Sequence, residues 1–236
     1  MILAGGLAQR LRPLTERVPK SLVSVAGRPF ADHQLAWLAS EGITDVVFAI
    51  GHLGESIREF VGSGSRWNLR VRYSDEGHEL RGTGGALRLA YDRGLLQPAF
   101  GVLYGDSYLT APLEGPWAEF AATRPAVLMT VYRNDGRWDA SNAQLSAGAV
   151  VRYEKGLGDP AAAGMHHIDY GLSIIDRDKV MPLIQEGAVV DLADVYGKLS
   201  AERRVRGFEV SDRFYEIGSH AGLAELEGLL HNRGRA

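Results

Sequence analysis

The chain has 236 residues, 45% of them hydrophobic and 23% charged, the ordinary range for a globular protein with one large core. Its 26 basic and 29 acidic residues leave a net charge of −3, which excludes the strong positive field that binds nucleic acid or an anionic membrane. The absence of cysteine excludes disulfides, thiolate metal sites and a cysteine nucleophile.

Short apolar runs alternate with segments of helical periodicity. Met1–Ala4 reads as a strand, and Phe30–Glu41 as a helix that follows Pro29, turns Phe30, Leu35 and Leu38 to one side and stops at Gly42. Val46–Ile50, Val71–Tyr73, Phe100–Tyr104 and Ala126–Tyr132 read as further strands, with helices over Glu55–Val61 and Ala86–Arg93 between them. This alternation predicts an α/β fold: a Rossmann-like, mainly parallel sheet with helices on both faces. After about Tyr132 the pattern loosens into strands Ala149–Glu154, Ile168–Ile175 and Val205–Val210 and helices Asp178–Glu186 and Leu192–Glu202, so antiparallel pairing is expected there. Ser219 is placed to cap a last helix reaching about His231, followed by a frayed tail over 232–236. No repeat or linker interrupts residues 1–236, which read as one domain. No apolar run approaches the ~20 residues of a membrane span, and Met1-Ile2-Leu3-Ala4-Gly5-Gly6 has neither the basic start nor the long apolar stretch of a signal peptide. A cytoplasmic protein is therefore expected.

The most informative stretch is Leu3-Ala4-Gly5-Gly6-Leu7-Ala8-Gln9-Arg10-Leu11-Arg12-Pro13-Leu14-Thr15, followed by Pro19-Lys20-Ser21-Leu22. A buried strand runs into two glycines whose missing Cβ atoms let backbone amides approach an anion. Arg10, Arg12 and Lys20 add guanidinium forks and a point charge, the ingredients of a triphosphate cradle. Neither G-x-x-x-x-G-K-[ST] nor G-x-G-x-x-G is present, which argues against a P-loop enzyme and a dinucleotide dehydrogenase. Without its neighbours, a Gly-Gly pair would be only a tight turn.

The extended pattern resembles the signature of the sugar-1-phosphate nucleotidyltransferases, or NDP-sugar pyrophosphorylases. The family pattern has a third glycine, a Thr or Glu before the arginine and a second proline after the lysine, where this chain has Ala8, Gln9 and Ser21. The resemblance implies the nucleotide-diphospho-sugar transferase fold, with 1–132 mainly nucleotide-binding and 133–236 mainly sugar-phosphate-binding. It implies NTP contacts from Leu3, Ala4, Gly5, Gly6, Arg10 and Lys20, and nucleobase contacts from the turn Gly82-Thr83-Gly84-Gly85, which stands before a helix. Asp106, in Tyr104-Gly105-Asp106-Ser107 at the end of a central strand, corresponds to a metal-binding aspartate. Glu216, in Phe214-Tyr215-Glu216-Ile217-Gly218-Ser219, stands where the family has a second aspartate, one methylene longer. Mg²⁺ is the implied cofactor.

On the acceptor side, Glu154 and Lys155 match the family pair for sugar hydroxyls and sugar phosphate. Ile168-Asp169-Tyr170-Gly171 resembles the turn over the sugar ring, and Asn142 is a further hydroxyl-binding candidate. Two of only four lysines, Lys20 and Lys155, fall in phosphate motifs. The implied reaction is NTP plus sugar 1-phosphate giving NDP-sugar and pyrophosphate, with Arg10, Lys20 and Asp106 at its centre. The short Leu80–Leu87 segment and the Tyr-Glu-Ile-Gly-Ser ending look most like the D-glycero-D-manno-heptose 1-phosphate guanylyltransferase branch, which favours GTP. Uridylyl- or thymidylyltransfer to a hexose 1-phosphate, cytidylyltransfer to phosphocholine or a phosphonate, and an inactive NDP-sugar-binding regulatory paralogue stay open. His166-His167 lacks metal-ligand spacing, the four tryptophans are scattered, and no Gly-x-Ser-x-Gly elbow occurs.

Overall fold

A computed structural model describes residues 1–6, 9–11 and 13–233, with Gln9 and Arg233 described by backbone alone. In chain order the elements begin with β1 (Ile2–Leu3), β2 (Ser24–Val25), β3 (Arg28–Pro29), α1 (Phe30–Ser40), β4 (Asp45–Ile50), α2 (Gly54–Val61) and β5 (Arg70–Asp75). They continue with α3 (Gly82–Asp92), β6 (Ala99–Tyr104), β7 (Ser107–Tyr108), α4 (Glu114–Thr123), β8 (Val127–Arg133), β9 (Ala143–Ser146) and β10 (Ala149–Tyr153). The last are β11 (His167–Asp176), α5 (Arg177–Val180), α6 (Leu192–Ala201), β12 (Val205–Val210), β13 (Tyr215–Glu216) and α7 (His220–Arg233). Among the described residues no helix is long and apolar enough to cross a membrane.

The chain divides into two compact units. The first comprises Met1–Leu80, Tyr104–Leu109 and the segment from Phe214 onward. Its strands β1, β4 and β5 are parallel, with Ile2 opposite Phe48 and Asp45 opposite Arg70. The run Val46–Ile50 is buried throughout, as a strand covered on both faces requires. A second cluster joins the β2–β3 hairpin, α1 and α7 through Val25, Phe30, Tyr108, Ile217 and Leu226. Ser219 begins α7 as the sequence predicts, its Oγ accepting from Gly222 N at 3.1 Å.

The second unit comprises Arg81–Leu103 and Thr110–Arg213. Its strand order is β6-β11-β8-β12-β10-β9, antiparallel except for the parallel β8–β12 pair. This is the mixed pairing expected after Tyr132. Helix α4 covers it with Trp117 and Phe120 against Leu128, Ile174 and Phe208.

Besides the short strands β2, β3, β7, β9 and β13, which the sequence reading does not name, three helices depart from it. Helix α4 lies in a stretch to which the sequence reading assigns no element; its Pro116 falls within the first helical turn, where that N–H has no helical acceptor. The helix expected over Asp178–Glu186 is α5 followed by a 3-10 turn at Met181–Leu183, because Pro182 has no N–H to continue an α-helix. Helix α3 starts at Gly82, not Ala86.

In the first unit, α1 is tied to the Ser65–Trp67 turn by a mostly buried carboxylate. Asp32 accepts from Arg28 Nε at 2.5 Å and Trp67 Nε1 at 2.7 Å, and the Arg66 guanidinium stands 3.4 Å away. Burial would push this carboxyl up, but the hydrogen bonds from Arg28 and Trp67 and the charges of Arg28 and Arg66 outweigh it and hold the pKa below the usual carboxylate range. The folded pKa is depressed, so the stabilisation is present above about pH 4, the unfolded value, and is lost as pH falls through the folded one. Asp32→Asn should therefore lower Tm at pH 7, and the difference from wild type should shrink below about pH 4; equal differences at pH 7 and pH 3 would show that the charge contributes nothing.

Candidate active site

The first unit carries Arg10, Lys20, Asp106 and Glu216 of the groups that the sequence singles out. β1 ends at Leu3, Ala4 N donates to Ala49 O at 2.9 Å, and the chain then enters Gly5 and Gly6. Leu7, Ala8 and Arg12 lie outside the described residues, as do the side chain of Gln9 and the tail 234–236. Gly105 N donates to Leu3 O at 2.9 Å, and a Cβ on Gly105 would stand only 2.5 Å from that oxygen. Only glycine permits this approach, and it sets Asp106 immediately beyond the end of β1.

Asp106 is then fixed from two sides. Its carbonyl accepts from Ile217 N at 2.9 Å, and β7 pairs with β13 so that Ser107 faces Glu216. This two-stranded ladder brings Glu216 from the far end of the chain to the neighbour of Asp106. From α1, the buried Gln34 donates Nε2 to Tyr104 O at 3.1 Å and Ser107 O at 3.0 Å, bracketing the Gly105-Asp106 turn. Sequence reasoning missed Gln34; its signal was a polar residue on the apolar stripe of Phe30, Leu35 and Leu38.

Lys20 Nζ donates to Asp106 Oδ2 at 2.7 Å, with the two side chains 19% and 27% exposed. The position a Cβ on Gly218 would take lies 3.5 Å from Arg10 Nη2 and 3.9 Å from Lys20 Nζ, so both cations converge on the segment that carries Glu216. Arg10, Lys20, Asp106 and Glu216 thus form one neighbourhood in the first unit. Among the described residues no group of three or more His, Asp and Glu side chains is placed to hold a metal. Two adjacent carboxylates still suit Mg²⁺, which takes one or two protein carboxylates and completes its shell with water and substrate phosphates.

A second acidic group was also missed. Glu76 follows β5, its N–H donating to Ile50 O at 3.0 Å, and its carboxylate covers the ends of β1 and β4. A Cβ at Gly5 would collide with Glu76 Oε1, and one at Gly51 would lie 2.9 Å from it.

In the second unit, Gly82-Thr83-Gly84-Gly85 forms the first turn of α3 and is strapped by residues 188–191. Val190 O accepts from Gly84 N at 2.8 Å and from Gly85 N at 3.2 Å, while Val190 N donates to Arg81 O at 2.9 Å. Thr83 Oγ1 donates to Asp191 Oδ1 at 2.9 Å and accepts from Leu192 N at 2.7 Å. Gly82 has φ +71°, and a Cβ there would stand 2.5 Å from Val190 O. The glycines therefore make room for the strap, and the Gly84 and Gly85 amides are committed to Val190.

The acceptor-side candidates are knitted together. Asn142 N donates to His167 O, Glu154 N donates to Asn142 O, both at 2.9 Å, and Asn142 Oδ1 accepts from Asp169 N at 2.8 Å. Glu154 and Lys155 are exposed, Glu154 pairing with Arg152 at 2.8 Å. Asp169 is buried; its carboxylate accepts from Gly171 N at 2.9 Å and from the Tyr153 hydroxyl at 3.2 Å, holding the irregular stretch of β11 where Gly171 has φ +99°. Tyr196 of α6 meets Tyr153 edge to face at 5.7 Å, and burial raises its phenol pKa, so it stays protonated.

Tyr170, in the Asp169-Tyr170-Gly171 segment, turns inward. It is 1% exposed, and its hydroxyl accepts from Thr110 N at 3.2 Å and Ala111 N at 3.1 Å. The ring belongs to the core, and the oxygen accepts from the 110–111 backbone.

Residues 1–137 match the family described as nucleotidyl transferase. The chain is 28% identical to a glucose-1-phosphate thymidylyltransferase of Streptomyces griseus, over 98% of this chain and 65% of that one. It is 27% identical to an N-acetylmuramate alpha-1-phosphate uridylyltransferase of Neisseria meningitidis serogroup B, over 97% and 96%. It is also 27% identical to a mannose-1-phosphate guanyltransferase of Schizosaccharomyces pombe, over 92% and 60%. The chain thus spans less than two thirds of the thymidylyltransferase and guanyltransferase and nearly all of the uridylyltransferase. Among solved structures, a glucose-1-phosphate thymidylyltransferase from Bacillus anthracis superposes with a TM-score of 0.85 at 22% identity, covering 97% of this chain and 93% of that one. The shared fold and a match over more than half its length make this chain a member of the nucleotidyl transferase family.

Proposed function

We propose that the protein is a sugar-1-phosphate nucleotidyltransferase, joining the nucleotidyl group of an NTP to a sugar 1-phosphate and releasing pyrophosphate. The observation that carries this reading is the convergence of Arg10 and Lys20 on the Gly218 segment beside Asp106 and Glu216. Attacker and target are both anions, so the protein's task is to offset their repulsion and align them; no covalent nucleophile is needed. The acceptor phosphate oxygen forms the new bond to the α-phosphorus as the bond to pyrophosphate breaks on the opposite side. Arg10 stabilises the charge gathering on pyrophosphate, Lys20 holds the NTP phosphates, and Lys155 holds the acceptor phosphate. Asp106 and Glu216 would hold Mg²⁺, which would supply Lewis-acid charge to the phosphates.

Glu76 supports guanine as the base. A carboxylate over Gly5 repels phosphate, so the phosphates go towards Arg10 and Lys20 and the base end towards Glu76. An ionised carboxylate only accepts hydrogen bonds. Guanine presents two adjacent donors, N1–H and N2–H, whereas uracil and thymine flank their single N–H with carbonyls that face the carboxylate unfavourably.

The test is pyrophosphate release from GTP, ATP, UTP, CTP and dTTP with a panel of sugar 1-phosphates, GTP being the best donor. Nucleotide binding without turnover on any pair would make the chain an inactive, regulatory paralogue. Preference for UTP or dTTP would move it to the hexose 1-phosphate enzymes.

Glu76→Gln should cut the ratio of kcat/KM for GTP to that for UTP by about tenfold or more, equivalent to ~1.4 kcal/mol of discrimination; an unchanged ratio would remove Glu76 from base selection. Tyr170→Phe strands two backbone donors, costs about 1–3 kcal/mol, and should lower Tm by several degrees while leaving KM for the sugar phosphate unchanged. A raised KM at unchanged Tm would return Tyr170 to the acceptor site.

A further inference from the structure

We propose that Lys20 is the resident counter-ion of Asp106, and that nucleotide binding transfers its ammonium from that carboxylate to the triphosphate, so that a divalent metal enters the site together with the NTP and not before it. The inference rests on the assignment of Asp106 and Glu216 as the metal carboxylates.

The pair is held from both sides. Lys20 opens the 3-10 turn Lys20–Leu22 behind Pro19, and Val23 N closes that turn on Lys20 O at 3.1 Å. Asp106 is anchored through its own carbonyl by Ile217 N and bracketed by Gln34. The backbones that carry the 2.7 Å contact are therefore fixed, and the contact is largely withdrawn from solvent, with side chains 19% and 27% exposed, while the lysine stem stays free to turn. A divalent ion on Asp106 Oδ2 would face the ammonium directly across one oxygen, two cations on one acceptor. Yet Nζ also stands 3.9 Å from the place of a Gly218 Cβ, beside Arg10 Nη2 at 3.5 Å. Two cations gathered there repel each other until a polyanion lies between them. A triphosphate supplies that anion, draws the flexible lysine stem towards Arg10 and leaves Asp106 open to the metal it brings. Linkage makes the effect reciprocal, so metal on Asp106 favours nucleotide by the same factor.

The probe is Mn²⁺ alone, followed by the loss of its free-ion EPR signal in the absence of any nucleotide or sugar. Lys20→Met, which keeps stem length and removes the charge, should bind Mn²⁺ about tenfold or more tighter than wild type. The gain should vanish in Lys20→Met/Asp106→Asn. Lys20→Arg, which keeps the charge, should bind as weakly as wild type. Lys20→Met binding no tighter than wild type would overturn the proposal, as would wild type and Lys20→Arg binding Mn²⁺ as tightly as Lys20→Met. If Lys20→Met does not fold, Lys20→Gln takes its place with the same two outcomes. Because no substrate is present, failure here leaves the nucleotidyltransferase reading standing, and failure of every donor and acceptor pair to release pyrophosphate leaves the Mn²⁺ result standing.

Discussion

The first unit depends on how closely two backbones approach at Gly105. The carbonyl of Leu3 closes its strand pairing on Gly105 N, and a side chain at 105 would push the following turn off the end of β1. Both candidate metal carboxylates hang from that turn. Asp106 follows it directly, Ile217 reaches it through the Asp106 carbonyl, and Glu216 is carried in by the β7–β13 ladder. The buried Gln34 amide bonds the carbonyls on either side of the turn. Each of those bonds contributes modestly, on the order of 1 kcal/mol, but leaving the two buried carbonyls unpaired would cost more. The arrangement trades a buried amide on an otherwise apolar helix face for a fixed carboxylate position.

The regular frame was legible because its signals are local. The buried strand over 46–50 is continuously apolar, Pro29 and Gly42 bound α1, and Ser219 caps α7. Misread elements are those where one residue permits two outcomes. Gly115-Pro116 breaks a chain anywhere except in the first turn of a helix, and sequence periodicity does not reveal that α4 begins at Glu114. Pro182 was read through, although its missing N–H ends α5.

The site was legible by residue type and only partly by role. Lys20, Asp106 and Glu216 are separated by long stretches of chain and yet share one neighbourhood, as their resemblance to a known pattern led one to expect. Tyr170 and Asp169 lie in a matching motif but turn inward, because a β-strand sends successive side chains to opposite faces and the irregular stretch at Gly171 shifts that alternation. Glu76 and Gln34 had no motif to announce them. Their importance comes from what stands opposite each of them, which requires three-dimensional packing.

The glycines of α3 show the same ambiguity in its sharpest form. A Gly-rich helix start reads as a ligand cradle because its first amides have no helical acceptor. Those amides need some acceptor, and the carbonyl of Val190 meets the need as well as a phosphate would. Thr83 strengthens the alternative, since its hydroxyl joins the start of α3 to Asp191, which in turn caps α6 by accepting from Ala193 N at 2.9 Å. Helix α6 packs on β10, where Tyr196 meets Tyr153 and Tyr153 holds the Asp169 carboxylate. The glycines at 82–85 therefore serve the packing of the second unit first.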